Sequence, residues 1–239
     1  MGSANHIASY RLPTCPPGPE NFFWSVSGES SDAFDNIKHT SLFPKNAVIF
    51  VEGQKSRDVV VVSSGRLKLS AGSHEGKTLI LRIAEPGDVL GLHASLSHTP
   101  HGMTVETMEP CTLEFVSGED FWRFLKGHGD AALRVTEILS RECLEAYELT
   151  RAIGLSHSVS ERFARFLLDR ASDGRAESKS GWANLAMTHE EISQVVGTSR
   201  ETITRLLTEF KRKDMVELKG SRLTIRNRPA LESMGGASH

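Results

Sequence analysis

Residues 187–220 read MTHEEISQVVGTSRETITRLLTEFKRKDMVELKG, the most legible stretch of a 239-residue chain. Thr188 and Glu191 form an S/T-x-x-E box, and Thr198 and Glu201 form another, each able to satisfy the orphaned N–H groups at a helix start. Only Val196–Ser199 separates the two predicted helices, and Gly197 can take the positive φ that so tight a turn demands. Two short helices joined in this way make a helix-turn-helix. Ile203, Leu206, Leu207 and Phe210 recur at steps of 3 or 4 and predict the buried side of the second helix. After Asp214, MVELKG and SRLTIRN alternate apolar and polar residues around Gly220–Ser221, which predicts a hairpin, or wing.

The second helix carries Arg200, Glu201, Thr204 and Arg205 on its exposed N-terminal turns. Arginine pairs bidentately with guanine O6 and N7, and a carboxylate accepts from cytosine N4. Ser199 and Thr202 are candidates for phosphate contacts that fix docking. The wing tip adds Lys219 and Gly220 to the predicted DNA-binding set. A solvated helix with a Glu201–Arg205 i,i+4 pair is the plainer reading. The helix pair, caps, wing and local charge together favour double-stranded DNA.

The whole-chain balance, 28 basic against 30 acidic residues, speaks against a polyanion partner until it is split by position. Residues 1–155 hold 14 basic and 19 acidic residues, residues 156–239 hold 14 and 11, and residues 199–228 hold 9 and 4. The positive charge gathers where the reading helix and wing lie.

Upstream, Ser158 and Glu161 form a third capping box. Gly129–Ile153 predicts one long helix without Pro or internal Gly. Its stripe of Ala132, Val135, Leu139, Cys143, Ala146, Thr150 and Ile153 suits either a second copy of the helix or the neighbouring β domain. Residues 40–120 read as β: AVIFV (47–51), VVVV (59–62), LKLS (67–70) and LILRI (79–83) alternate with Gly53, Gly65, Gly76 and Gly87, which predicts a sandwich, barrel or jelly roll. Residues 1–35, with Pro13, Pro16, Pro17 and Pro19, read as irregular, with a short helix over Ser30–Ile37.

No apolar run approaches the roughly 20 residues of a membrane span. The chain begins without a secretory pattern, and three scattered cysteines (Cys15, Cys111, Cys143) suit a reducing compartment, so a cytoplasmic protein is expected. No catalytic triad, P-loop or zinc signature is present, and Ser156–His157–Ser158 with Glu161 is accounted for by a hinge and a helix cap. An enzyme is not expected. A nucleoid-type binder without sequence preference would be basic throughout, which this chain is not.

Residues 187–220 resemble the winged helix-turn-helix of the cyclic-AMP receptor protein and fumarate–nitrate regulator (Crp/Fnr) family. PGDVLG (86–91) resembles the end of that family's effector-binding β-roll, and residues 129–156 stand where the family has its dimer helix. The resemblance covers roughly residues 35–230. It implies an α+β fold: an irregular segment with a short helix (1–35), a double-stranded β-helix or jelly-roll sensor domain of the cyclic-nucleotide-binding kind (36–128), a dimerisation helix and hinge (129–156), and a winged helix-turn-helix (157–239). It further implies a homodimeric transcription regulator, with RNA polymerase as a further partner. Arg200, Glu201 and Arg205 match the three base-reading residues of the cyclic-AMP receptor protein, which implies a palindrome of TGTGA-like half-sites about one turn apart. An aliphatic residue replaces Arg200 in fumarate–nitrate regulators, which makes their TTGA-type site the second choice.

The effector motifs depart from the family's. The resemblance places a candidate pocket at Gly91, Leu92, His93, His101, Gly102 and Tyr147. Leu92 stands where cyclic-AMP members have a ribose-binding Glu, the phosphate-holding Arg-Ser pair falls near His101–Gly102, and the purine-touching Thr-Ser becomes Tyr147–Glu148. Leucine accepts no hydroxyl, and no Arg or Lys remains in Leu92–Met103 to bind a phosphate. Two of the four cysteines of the iron–sulfur branch match, Cys15 and Cys111, whereas Gly18 and Trp24 replace the others, so a four-thiolate cluster is not expected. No cofactor is predicted. A haem, metal, redox or other small-molecule signal is the alternative, motivated by His93, His98 and His101 on one loop.

Overall fold

The computed structural model describes residues 26–55, 57–73, 75–155, 158–172, 182–185 and 187–235. The proline-rich segment, Cys15, Gly18, Trp24, Ser156 and His157 lie outside them. The chain divides into two compact units, one ending at Glu145 and the other beginning at Ala146.

The first unit opens with helix α1 (Gly28–Asp35), two residues earlier than its sequence suggests because the Ser27 hydroxyl accepts from the Ser30 N–H and caps it. Strands β1 (His39–Phe43), β2 (Val48–Phe50), β3 (Asp58–Ser64), β4 (Leu67–Gly72), β5 (Thr78–Ala84), β6 (Val89–Leu90), β7 (Thr104–Thr107) and β8 (Cys111–Ser117) follow, with helix α2 (Leu92–Ser97) between β6 and β7. They make two antiparallel four-stranded sheets, β1-β8-β3-β6 and β2-β7-β4-β5. Helices α3 (Gly118–Gly127) and α4 (Gly129–Leu155) come next. The expected β stretch therefore contains α2 and runs directly into α3, which carries Phe121, Phe124 and Leu125 into the core.

The run Val59–Val62 shows why the roll has two cores. Side chains alternate across a strand, and a strand covered on both faces is apolar throughout. Val60 and Val62 face the space between the sheets with Phe50, Leu67, Leu69, Val105 and Leu113. Val59 and Val61 face a second core, built with Phe34 of α1, Leu92 of α2, Phe121 and Phe124 of α3, and Ala131 and Val135 of α4. Gly65, at the β3–β4 turn, has φ +84°, and a Cβ there would stand 2.5 Å from the Cys111 Sγ and 2.6 Å from the Pro110 carbonyl, so no other residue fits.

The long helix extends as expected, but its stripe divides. Ala131 and Val135 are buried, and Ala132, Ile138 and Leu139 pack half-buried on the roll core, whereas Cys143, Ala146 and Thr150 are exposed. The stripe is thus one face covered along only part of its length, because its N-terminal half packs on the roll core. The Ile153 side chain lies outside the described residues. Two polar joints hold this helix to the roll. Asp130 accepts from the Ser27 N–H and the Ser30 hydroxyl, both at 2.6 Å, and these bonds hold its carboxyl well below the usual range. Arg82 of β5 bonds Asp88 at 2.8 Å and Glu142 of α4 at 2.7 Å.

The second unit contains helix α5 (Val159–Ser172), strand β9 (Trp182–Asn184), helices α6 (His189–Val196) and α7 (Arg200–Arg212), strands β10 (Val216–Lys219) and β11 (Arg222–Ile225), and helix α8 (Arg228–Met234). Phe163, Phe166, Phe210, Leu207, Leu223 and Leu231 are buried in its core. The wing is a three-stranded sheet, β10-β11-β9, in which β9 adds to the predicted hairpin. None of the helices among the described residues is long and apolar enough to cross a membrane.

Candidate nucleic-acid interface

The turn between α6 and α7 is built from local bonds. Thr188 and Glu191 form the predicted capping box, with the Glu191 N–H donating to the Thr188 hydroxyl at 3.1 Å and the Thr188 N–H donating to the Glu191 carboxylate at 2.7 Å. Gly197 closes α6 in the left-handed region, φ +70°. The box expected at Thr198–Glu201 does not form. Ser199 caps α7 instead, accepting from the Thr202 N–H, because the Thr198 N–H turns back to the Ser193 carbonyl and leaves Ser199 as the first extended residue. At the third predicted box, the Ser158 hydroxyl accepts from the Glu161 N–H at 3.1 Å.

One clamp has no local sequence signal. Arg162 of α5 donates from Nε to the Val196 carbonyl at 2.9 Å and from Nη2 to the Gly197 carbonyl at 3.4 Å. A guanidinium at the C-terminal carbonyls of a helix satisfies orphan acceptors and the negative dipole end together. It fixes the turn that sets the angle between the two helices, from 34 residues away in sequence.

Helix α7 buries Ile203, Leu206, Leu207 and Phe210 against α5 and α6, with Phe163 stacked 5.4 Å from Phe210. The opposite face exposes Arg200, Glu201, Thr204, Arg205, Thr208 and Arg212. Its first turn holds Glu201, whose carboxyl is lowered by a bond from its own N–H and by one from Ser199, so it remains an anion that only accepts. Ser199 and Thr202 turn their hydroxyls toward each other at 3.1 Å at the helix start. At the wing, Gly220 turns the β10–β11 hairpin with φ +58°, beside exposed Lys219. Glu217 bridges Lys219 and Arg226 across the hairpin base, and both cations hold its carboxyl low.

Of the six residues of the expected effector pocket, Gly91 and His101 both lie against the Phe50 ring. Leu92 is 1% exposed and belongs to the core beneath α1, α3 and α4; it is packing, not a ligand position. Gly91 is confined by the Asp58 carbonyl and the Phe50 ring, and caps α2 with φ +81°. His101 is buried and stacks on Phe50 with centroids 4.1 Å apart, its N–H and carbonyl bonded to Gln54 and Gly53. His93 and Gly102 are exposed, and Tyr147 is exposed on α4 within the other unit. His98 accepts from the Trp122 indole N–H at 3.4 Å. The three loop histidines have different surroundings, and no group of three His, Cys, Asp or Glu among the described residues can hold a metal.

Of the two cysteines that match the iron–sulfur branch, only Cys111 lies among the described residues. Cys111 is buried, its thiol donates to the Glu109 and Arg66 carbonyls, and burial pushes its pKa up, which disfavours the thiolate a cluster requires. Cys143 is exposed on α4.

Comparison with known proteins follows the two units. A family model for the Crp-like helix-turn-helix domain matches residues 161–234, and one for the cyclic nucleotide-binding domain matches residues 41–128. The cAMP-activated global transcriptional regulator CRP of Salmonella typhimurium is 22% identical over 188 residues, 78% of this chain and 89% of that protein. The fumarate and nitrate reduction regulatory protein of Yersinia pestis is 26% identical over 227 residues, 89% of this chain and 85% of that one. The structure of FixK2 from Bradyrhizobium japonicum superposes with a TM-score of 0.72 at 22% identity, covering 85% of this chain and all of that one. An exposed reading helix on a clamped helix-turn-helix, a wing and a two-core β-roll, together with these matches, make the chain a DNA-binding transcription regulator of the Crp/Fnr family.

Proposed function

We propose that this regulator is a cytoplasmic homodimer that binds a palindrome of TGTGA-like half-sites, and that neither cyclic AMP nor an iron–sulfur cluster controls it. The observation that carries the site is the outward line of α7: Arg200, Glu201 and Arg205 are exposed together, with Ile203, Leu206 and Leu207 holding the helix beneath them. Two guanidinium groups and one fixed carboxylate suit a half-site with guanines on one strand and a cytosine within reach. Dimerisation is supported by α4, where Leu133, Ser140, Leu144 and Tyr147 follow at steps of 7, 4 and 3, and the three large apolar members are exposed. Independence from cyclic AMP is supported by Leu92, which takes the place of a ribose ligand and lies in a sealed core.

Selection of the full-length protein on random duplexes tests the first part. The expected product is a pair of G-containing half-sites about 10 base pairs apart, and enrichment of unpaired or G-free sequences would overturn it. Titration calorimetry with cyclic AMP tests the second, with no heat of binding expected; a micromolar constant would refute it.

A further inference from the structure

The wing contains more positive charge than it presents. Residues two apart on a strand share a face, so Glu217 and Lys219 of β10 stand on one side of the hairpin. The Glu217 carboxylate lies 2.5 Å from Lys219 Nζ and also accepts from the Arg226 guanidinium, just after β11. Lys219 and Arg226 hold the carboxyl below the usual range, so it is an anion wherever DNA binding is measured. The hairpin has other supports. Its backbone ladder runs from Val216–Ile225 to Lys219–Arg222, and Val216 and Leu223 are buried. A carboxylate accepts from lysine and arginine much as a phosphate does. A duplex that reaches Lys219 therefore meets a cation already partnered, with an anion beside it.

We infer that Glu217 stands in for a DNA phosphate and sets the affinity of the wing: it holds Lys219 and Arg226 in the free protein, and Lys219 exchanges it for a backbone phosphate on binding. The contact is an electrostatic brake that acts on every duplex alike, since phosphates carry no sequence. A released Glu217 keeps Arg226 and recruits buffer cations for the rest of its charge, which offsets part of the counterion release that drives DNA binding. The brake presupposes that Lys219 touches DNA, and it is independent of which bases α7 reads.

The test titrates the full-length protein with the selected duplex and with a scrambled one over about 50–200 mM salt, comparing Glu217→Gln, Lys219→Gln and the double variant. Glu217→Gln is expected to tighten both duplexes by roughly 2- to 5-fold per wing, the strength of one exposed ion pair. It is also expected to steepen the slope of log affinity against log salt by roughly 0.5–0.9 per wing. Lys219→Gln flattens the slope in the Glu217→Gln protein and much less in the wild type. Glu75→Gln removes the same charge from an exposed pair of the same spacing on the roll, Glu75 and Lys77 at 2.9 Å, and leaves affinity and slope unchanged. If Glu75→Gln matches Glu217→Gln, the gain belongs to net charge and the brake is overturned. If Glu217→Gln weakens both duplexes, the carboxylate is a strut of the wing and the brake is overturned. Equal flattening by Lys219→Gln in both backgrounds overturns the brake and leaves the wing contact standing, whereas flattening in neither overturns both. Failure to select a preferred site overturns the palindrome alone, since the scrambled duplex still reads the brake.

Discussion

Leu92 offers the sharpest distinction between a ligand pocket and a packed core, and Leu92→Glu is the perturbation that uses it. The substitution restores the carboxylate expected of a cyclic-AMP-binding relative, but places it among Val59, Val61, Val116, Phe121 and Phe124. Removing the leucine contacts at a site 1% exposed costs about 2–3 kcal/mol. A carboxyl in such surroundings neutralises, and keeping it protonated at pH 7 from an ordinary value near 4.3 costs about 4 kcal/mol at 1.36 kcal/mol per unit. The total, about 6 kcal/mol, is comparable with the whole stability of an ordinary domain, about 5–15 kcal/mol. Urea denaturation followed by far-ultraviolet circular dichroism should show the roll unfolding early at pH 7. The native state of this variant binds a proton that the unfolded chain has released. The carboxyl part of the loss is therefore present at neutral pH and disappears as the pH falls toward 4.3, whereas Leu92→Ala loses a similar amount at both. A Leu92→Glu protein with an unshifted urea midpoint, or one that acquires cyclic-AMP binding, would refute the placement of residue 92 in the core.

Arg205→Ala should weaken the preferred site by about 1–3 kcal/mol and relax selection at one base pair, measured by competition against single-base variants. Arg162→Met should lower the stability of the DNA-binding unit by about 1 kcal/mol, because the half-buried bond to the Val196 carbonyl is lost while the exposed Gly197 carbonyl turns to water, and should weaken all duplexes equally in the same assay. Burial lowers the His101 pKa, so the unfolded chain takes up the proton first as pH falls; the stability from this residue is present above about 6.5 and is lost below it. His101→Phe should flatten the difference in urea midpoint between pH 7.5 and pH 5.5. Arg82→Met should destabilise the roll by about 3–5 kcal/mol, since Asp88 and Glu142 are left without their cation. Glu142→Gln should cost less than half as much, because burial of the Glu142 carboxyl outweighs the attraction of Arg82 and raises its pKa; equal losses in thermal melts would contradict that ordering.

The helix-turn-helix was legible in the chain because its determinants are local. A capping box needs residues three apart, an amphipathic helix needs a period of 3.6, and a tight turn needs one glycine; Thr188, Glu191, Gly197 and the Ile203–Phe210 stripe supply these within 23 positions. The turn glycines at 53, 65, 76 and 87, all with positive φ, are the same kind of signal for the roll. What depended on three-dimensional packing came from residues distant in sequence. Arg162 reaches the α6 terminus across 34 positions, and β9 joins the wing from nearly forty positions before β11. Leu92 reads as a ligand position by alignment with a motif, and is a core residue because α1, α3 and α4 close over it. The stripe of α4 carries a clear period, but a period shows which side chains share a face and not what covers them. The roll covers Val135 and Leu139, while Leu133, Leu144 and Tyr147 stay exposed, since burial belongs to the assembled fold and periodicity to the helix alone.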